Sequence, residues 1–257
     1  MLLLIDAGNT RIKWGITQLT TADSPALPAW LAAGSLAHAD LPHLADELKP
    51  YAVTQILISN VAGATVRQLL ESSLAIIAPG LAPDWFSSQP QLAGLRNAYL
   101  NPGQLGCDRF ASAIAAHALY PGQDLIVATC GTATTVDAVS ADGVFHGGMI
   151  LPGLKLMAQS LARNTAQLPQ VAESVSVEGI FADNTDQAIV SGCIAAQVGA
   201  IEHAVTAWRS SQKAEVSCIV SGGAAPYLLG RLGVQHRHME NLVLTGLYHA
   251  AKSSMNN

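Results

Sequence analysis

The sequence predicts an α/β protein of two domains, each a mixed sheet flanked by helices, related by an internal duplication. The chain opens on an apolar run over 2–5, then Asp6, a tight turn at Ala7-Gly8-Asn9-Thr10 and a strand-like run over 11–17. The same order returns after Pro121-Gly122, with an apolar run over 125–128, a turn at Thr129-Cys130-Gly131-Thr132 and a strand-like run over 133–139. Length agrees, because 257 residues suffice for two domains of roughly 120 residues. The boundary is expected at Pro121-Gly122, giving an N-terminal domain over 1–120 and a C-terminal domain over 121–257.

The elements follow in order. Gly8 and Asn9 are residue types that accept positive φ, so the first turn is expected to fold the chain straight back as a hairpin. Residues 20–28 read as a polar loop and 30–36 as a third strand. Apolar residues at 41, 44, 45 and 48 predict a helix stopped by Pro50. The segment VTQILISNV over 53–61 predicts a buried strand, and 65–73 a helix with Thr65 as its N-cap. Four prolines, at 79, 83, 90 and 102, make 76–101 irregular. The Ala-rich segment 105–119 has helical spacing and opens with Gly106-Cys107-Asp108-Arg109. In the second half, Asp142-Gly143 predicts a hairpin turn into a strand over 144–150. Helices are predicted over 152–163, 183–208, 226–232 and 242–251, and strands over 216–220 and 234–238.

Composition excludes several function classes. Half of the residues are hydrophobic and 12% are charged, which supports a sizeable core and argues against disorder. A net charge of −5 without a basic run argues against a nucleic-acid partner. Cys107, Cys130, Cys193 and Cys218 form no C-x-x-C pair, so buried, reduced thiols and a cytoplasmic protein are expected. The first apolar run is too short for a signal peptide, and no unbroken apolar run reaches ~20 residues, so no membrane partner is expected.

The opening hairpin carries chemistry. It places one carboxylate beside a loop rich in N–H and hydroxyl groups. Backbone N–H groups and Thr10 suit phosphate oxygens, Lys13 adds positive charge, and Asp6 suits Mg²⁺, directly or through water. Alone, the stretch reads as an ordinary Asp-initiated hairpin; its second copy at 129–135 favours the phosphate reading. Gly222-Gly223 ends a strand and leaves bare backbone for a nucleoside. Two phosphate hairpins facing across a cleft, with a later Gly-Gly for adenosine, resemble the ribonuclease H-like (actin-like ATPase) fold of actin, sugar kinases and Hsp70-type ATPases. A fold-level resemblance does not set the substrate.

A sharper resemblance lies in YLNPGQLGCDRF at 99–110. With DAGNTRIKWG at 6–15 and GTATTVDAV at 131–139, it resembles the type III pantothenate kinases, which include the Bvg accessory factors. GGMILPG at 147–153, TAQLP at 165–169, Asn184-Thr185, Ser191-Gly192, Ser221-Gly222-Gly223 and LVLTGL at 242–247 continue it in the expected order. The resemblance implies an ATP-dependent kinase acting on the 4′-hydroxyl of pantothenate, the entry step to coenzyme A, as a homodimer with substrate at the interface. It further implies that Asp6, Ala7, Gly8, Asn9, Thr10, Arg11, Ile12 and Lys13 bind Mg-ATP phosphates, with Asp6 near the metal, and that Thr132 holds a phosphate. Tyr99, Gly106, Cys107, Asp108, Arg109 and Thr185 would bind pantothenate, and Asp108 would be the general base.

Elementary chemistry agrees with that assignment. Phosphoryl transfer to an alcohol needs an oriented hydroxyl, an acceptor for its proton and positive charge on the equatorial oxygens. Asp108 opens a helix, where the dipole favours the ionised carboxylate, and Arg109 suits a carboxylate or phosphate in bidentate fashion. One departure stands out. Many relatives carry Asp two residues before the Gly-Thr-Ala of the second hairpin, as ligand of K⁺ or NH₄⁺; here that residue is Thr129. A neutral hydroxyl attracts a cation less, so activation would be weaker, absent or arranged through other oxygens. Asp137 reads equally as support for the second loop or as a solvated strand residue. His236 and His238 share a strand face but lack a third ligand and read as a solvated edge. His117 and His203 read as packing or surface residues, Trp85-Phe86 as a hydrophobic contact, and the apolar face of 183–208 as a subunit contact. Two alternatives remain: a kinase of another small alcohol on this fold, and a nucleotide-binding regulator without turnover.

Overall fold

A computed structural model describes residues 1–20, 27–170 and 177–255. Most of the polar loop expected over 20–28 therefore lies outside the described residues. The chain forms two compact units. The first comprises Met1–Gly122, Ala141–His146 and Asn241–Asn257, and the second Gln123–Ser140 and Gly147–Glu240. The division expected at 120/121 thus differs by two segments that return to the first unit. Both are drawn there by tertiary packing that a linear reading does not contain.

The first unit opens with β1 (Leu2–Ala7) and β2 (Arg11–Thr17), followed by β3 (Ala32–Ala37). A 3₁₀ turn over His38–His43 runs into α1 (Leu44–Leu48), because Pro42 supplies no N–H for a regular helix there. Then come β4 (Gln55–Asn60), α2 (Ala64–Ile77), the two-residue strand β5 (Asp84–Trp85), β6 (Gln91–Leu92), β7 (Leu95–Asn97) and α3 (Cys107–Leu119). The sheet order is β3-β2-β1-β4-β5. β1 pairs antiparallel with β2 and parallel with β4, so it is central and covered on both faces. That is why Leu2, Leu3, Leu4 and Ile5 are all buried, as an unbroken apolar run requires.

In the second unit, β8 (Asp124–Cys130) and β9 (Ala133–Val139) form a hairpin. β10 (Val144–Pro152) begins in the first unit, where Val144 and Phe145 lie parallel to Arg96 and Asn97 of β7, and continues in the second. Next are α4 (Leu154–Asn164), α5 (Thr185–Gln212), β11 (Val216–Ser221), α6 (Pro226–Leu229) and β12 (His236–His238); α7 (Leu242–Met255) closes the chain in the first unit. The strand order here is β12-β11-β8-β9-β10. β8 is antiparallel to β9 and parallel to β11, the arrangement that β1 has with β2 and β4. The expected duplication is therefore present in topology, with a second turn one residue shorter than the first.

Local chemistry departs from expectation in a few places. Neither Gly8 nor Asn9 takes a positive φ; the first turn is closed instead by the Gly8 N–H donating to the Arg11 carbonyl at 3.1 Å. Thr65 is not an N-cap: α2 starts one residue earlier, after Gly63, whose φ of 89° stops the preceding chain. The irregular stretch contains three very short strands, and Phe86 beside them stacks on Phe110 of α3 at 6.0 Å. Arg67 of α2 sits 4.3 Å above the Trp85 ring.

α5 is 28 residues long, with a window of mean hydropathy 1.4, so by length and composition alone it could cross a membrane. A search for an unbroken apolar run misses it, because Ser191, Gln197 and other polar residues interrupt an Ala-, Ile- and Val-rich helix. Its inner face, including Ile194, Val198, Ile201 and Val205, packs in the core of the second unit. All four cysteines are free; Cys130, Cys193 and Cys218 are buried.

α3 runs through the interior of the first unit. Every residue from Arg109 to Ala116 is buried, so the helix is enclosed on all sides. α7 crosses it so closely that a Cβ built on Gly246 would overlap the Ala111 backbone. Gly246→Ala should therefore lower stability by roughly 1–3 kcal/mol, since backbones must separate to admit one methyl group. Chemical denaturation measures it, and an unchanged midpoint would contradict the close crossing.

Candidate active site

The carboxyl ends of the parallel strands β1 and β4 bring polar residues together. Asp6 lies opposite Lys13 of β2 and beside Ser59 of β4, and Ala7 beside Asn60. Core residues on both sides, Ile5 and Ile58 among them, leave Asp6 little water. Burial pushes its carboxyl up from 3.8 to about 7, the nearby charge of Asp108 pushes the same way, and Lys13 opposes both.

The start of α3 sits over this strand end. Cys107 Sγ lies 3.3 Å from Ser59 Oγ and 3.7 Å from the Asn60 carbonyl, which fastens the helix to β4. Gly106 precedes the helix with φ −55° and ψ 132°, and a Cβ there would stand 2.8 Å from Asp108 Oδ1. Only glycine leaves that carboxylate its place. Burial also raises the Asp108 carboxyl above its ordinary value, opposed by the Arg109 backbone N–H, which donates to Oδ1 at 2.8 Å, and by the Arg109 charge. Arg109 is itself buried. Its Nη1 donates to Tyr99 Oη at 3.0 Å, and its guanidinium lies 5.8 Å from the Tyr99 and Phe145 ring centres. Asn97 holds the Tyr99 segment by accepting from the Tyr99 N–H and donating to the Pro102 carbonyl, both at 3.1 Å. Asp6, Lys13, Tyr99, Gly106, Cys107, Asp108 and Arg109 thus belong to one unit, and the two carboxylates interact.

The first loop shows a division of labour. Asn9 and Thr10 are exposed at its tip. Ala7 and Ile12 bury their side chains in the core, so only their backbone faces the turn. Arg11 is drawn aside: its Nε and Nη2 donate to Ser35 Oγ and the Ser35 carbonyl at 2.8 and 2.9 Å. His38 Nε2 donates to the Gly8 carbonyl at 2.8 Å and braces the turn from β3's end. Sequence reasoning missed His38, and no sequence pattern signals it. Ser59 and Asn60 had a readable signal, the end of a strand parallel to β1.

In the second unit, Thr129 pairs with Thr135 and Ser221, and Thr132 is exposed at the tip of the second turn. Two glycines press on that turn: a Cβ on Gly222 (φ 98°) would overlap Cys130, and one on Gly153 would overlap Gly131 and Thr132. Gly223 meets nothing within 4 Å and leaves open backbone beside it. Asp137 is buried. Thr185 is the exposed first residue of α5, after an Asn184 cap that accepts from the Gln187 N–H at 3.0 Å. It lines a largely apolar groove of about 620 Å³ between α4 and α5, with Met157, Leu161, Ile189 and Cys193. His236 Nδ1 lies 2.9 Å from the Val234 carbonyl. Among the described residues no three His, Cys, Asp or Glu side chains converge as a metal site.

The sequence model of the type III pantothenate kinase family matches residues 2–207. A type III pantothenate kinase of Herminiimonas arsenicoxydans is 52% identical over 252 residues, covering 98% of this chain and 97% of its own. Among solved structures, a Campylobacter jejuni protein described as a Baf family transcriptional activator has a TM-score of 0.58 at 19% identity, over 99% and 100% of the two chains. A glucokinase from an Antarctic psychrotroph has a TM-score of 0.52 at 12% identity, over 96% and 97%. The fold is that of the actin-like ATPases and sugar kinases, with mixed sheets flanked by helices, as the sequence predicts.

The raised carboxyl of Asp6 carries a stability consequence. Unfolded, the group titrates near 3.8; folded, near 7. Between those values the folded chain holds a proton that the unfolded chain has lost, so stability falls as pH rises, and the full cost is present above pH 7. Asp6→Asn removes the cost. It should raise the melting temperature at pH 8 by roughly 2–4 °C or more, the shift expected per ~1 kcal/mol at this size. The gain should vanish near pH 4, as thermal melts of the two proteins across pH will measure.

Proposed function

The chain belongs to the type III pantothenate kinase family, and we propose that it transfers the γ-phosphoryl group of ATP to the 4′-hydroxyl of pantothenate, the first step of coenzyme A biosynthesis. The observation that carries this reading is the half-buried Asp108 carboxylate, presented at the start of an enclosed helix beside Arg109 and Tyr99.

In this reading Asp108 accepts the proton of the substrate hydroxyl, the freed oxygen attacks the γ-phosphorus, and ADP leaves. A carboxylate whose affinity for a proton is raised by burial is a better proton acceptor than an exposed one. Arg109, held by Tyr99, pairs with the pantothenate carboxylate, and Gly106, Cys107 and Thr185 complete the substrate contacts. The backbone of 7–12, with Thr10 and Lys13, holds phosphate oxygens, and Thr132 holds another from the second turn. A buried carboxylate whose ionised form is disfavoured by a second one fits a divalent cation, so Asp6 would hold Mg²⁺, which neutralises charge on the phosphates. With no third ligand among the described residues, water and phosphate would complete its shell.

Thr129 offers no charge for a monovalent cation, and no step depends on one here. A homodimer is proposed through α4 and α5: α4 buries none of its residues in the chain and leaves Leu156 and Leu161 exposed. Four free thiols suit a reducing cytoplasm.

The test is ADP release coupled to NADH oxidation, with Mg-ATP and pantothenate. The parent should turn over, and Asp108→Asn should lose about 10²–10⁴-fold in kcat, the range of a general base. Added K⁺ or NH₄⁺ should change the parent rate by less than roughly twofold, the consequence of a neutral donor at Thr129. No pantothenate-dependent ADP from the parent would overturn the kinase reading; full turnover by Asp108→Asn would overturn the base.

A further inference from the structure

Gln197 lies in the middle of α5 and is fully buried. A primary amide removed from water costs free energy unless its donors and acceptor find partners. Here both ends do. Thr134 Oγ1 donates to Gln197 Oε1 at 2.6 Å, and Gln197 Nε2 donates to the Pro152 carbonyl at 2.8 Å. The orientation of the amide is fixed, because a carbonyl can only accept.

These bonds belong to a closed figure. Pro152 is followed by Gly153, whose N–H donates to the Thr132 carbonyl at 2.9 Å. Thr134 lies two residues after Thr132 on β9. Three hydrogen bonds therefore link Thr132 to Gly153, Pro152 to Gln197, and Gln197 back to Thr134. The ring joins the β9 side of the second turn to the end of β10 and to α5. Gly153 lies flat against that turn, where a side chain would overlap it. Only Gln197 comes from within a helix. It ties the hairpin to the long helix, its amide reaching Thr134 on β9 and Pro152 at the end of β10.

We propose that Gln197 is a positioning residue for the second phosphate loop, holding residues 131–133 so that Thr132 faces the nucleotide. The proposal rests on the reading of Thr132 as a phosphate ligand. A glutamine that only filled the core would be replaceable by an apolar side chain of equal length, with no selective effect on nucleotide. A glutamine that frames the loop would not.

Gln197→Met keeps length and volume and removes both hydrogen bonds. Thr134→Val removes one bond of the ring from the other side. Gln197→Met should raise the KM for ATP and the Kd for Mg-ADP about tenfold, the effect of ~1.4 kcal/mol, while the KM for pantothenate stays within about twofold. Thr134→Val should shift the same two constants in the same direction. The double variant should be no worse than Gln197→Met within about twofold, because members of one ring do not add. Unchanged nucleotide constants in both single variants, a parallel rise in both KM values, or additive effects would each overturn the proposal. If Gln197→Met does not fold, Thr134→Val carries the comparison alone. Calorimetry with Mg-ADP separates this from the function: a parent that binds Mg-ADP but never phosphorylates pantothenate fails the kinase reading and still tests the ring.

Discussion

Two half-buried carboxylates within each other's field constrain the first unit. Each is disfavoured by burial, and the charge of Asp108 adds to the cost of ionising Asp6. The fold holds them together because neither sits on a mobile support. Asp6 ends a central strand with core residues around it, and Asp108 begins a helix enclosed by α7. Lys13, the Arg109 N–H and the Arg109 guanidinium offset part of the repulsion without cancelling it. Such residual strain is tolerable only where the scaffold is stable enough to bear it, and it is the state a bound cation would relieve.

The duplicated topology puts this constraint in relief. In each unit a central strand is antiparallel to one neighbour and parallel to another. Asp6 has Lys13 and Ser59 beside it; Thr129, at the corresponding place, has Thr135 and Ser221. The serine is common to both. The acid and the base of the first unit are both replaced by hydroxyls in the second. The second turn thus carries no charge on either strand at this place. The neutral Thr129 therefore faces a neutral cross-strand partner, Thr135.

Much of this was legible in the sequence because strands and turns here are punctuated plainly. The apolar runs at 2–5 and 125–128 stop at Asp6 and at the Thr129 turn, and β9 spans the strand-like run expected over 133–139. The start of α3 was legible from Gly106 and Asp108. What escaped was conformational or tertiary. Gly8 and Asn9 can adopt positive φ, but a pattern cannot say that they do, and they do not. Thr65 is a good cap by type, yet Gly63 makes the turn. α7 joins the first unit across most of the chain because Gly246 lets it approach Ala111, a contact no local pattern encodes. His38 is invisible for the same reason: its value lies in one hydrogen bond to Gly8, thirty residues away.

The two turns also show how a flexible-looking motif becomes a rigid one. Neither depends on unusual backbone angles within the turn. Each is braced from outside: the first by an imidazole on the Gly8 carbonyl, the second by Gly153 and the Cys130 carbonyl's bond to the Ala224 N–H at 3.0 Å. The bracing lies behind the tips, Asn9-Thr10 and Thr132, which remain exposed. A loop ordered in advance does not spend binding energy on its own ordering, so more of each phosphate contact appears as affinity or rate. In the proposed phosphate-binding role of these turns, the residues that matter would extend past the tips to the side chains and glycines behind them, which a motif search would pass over.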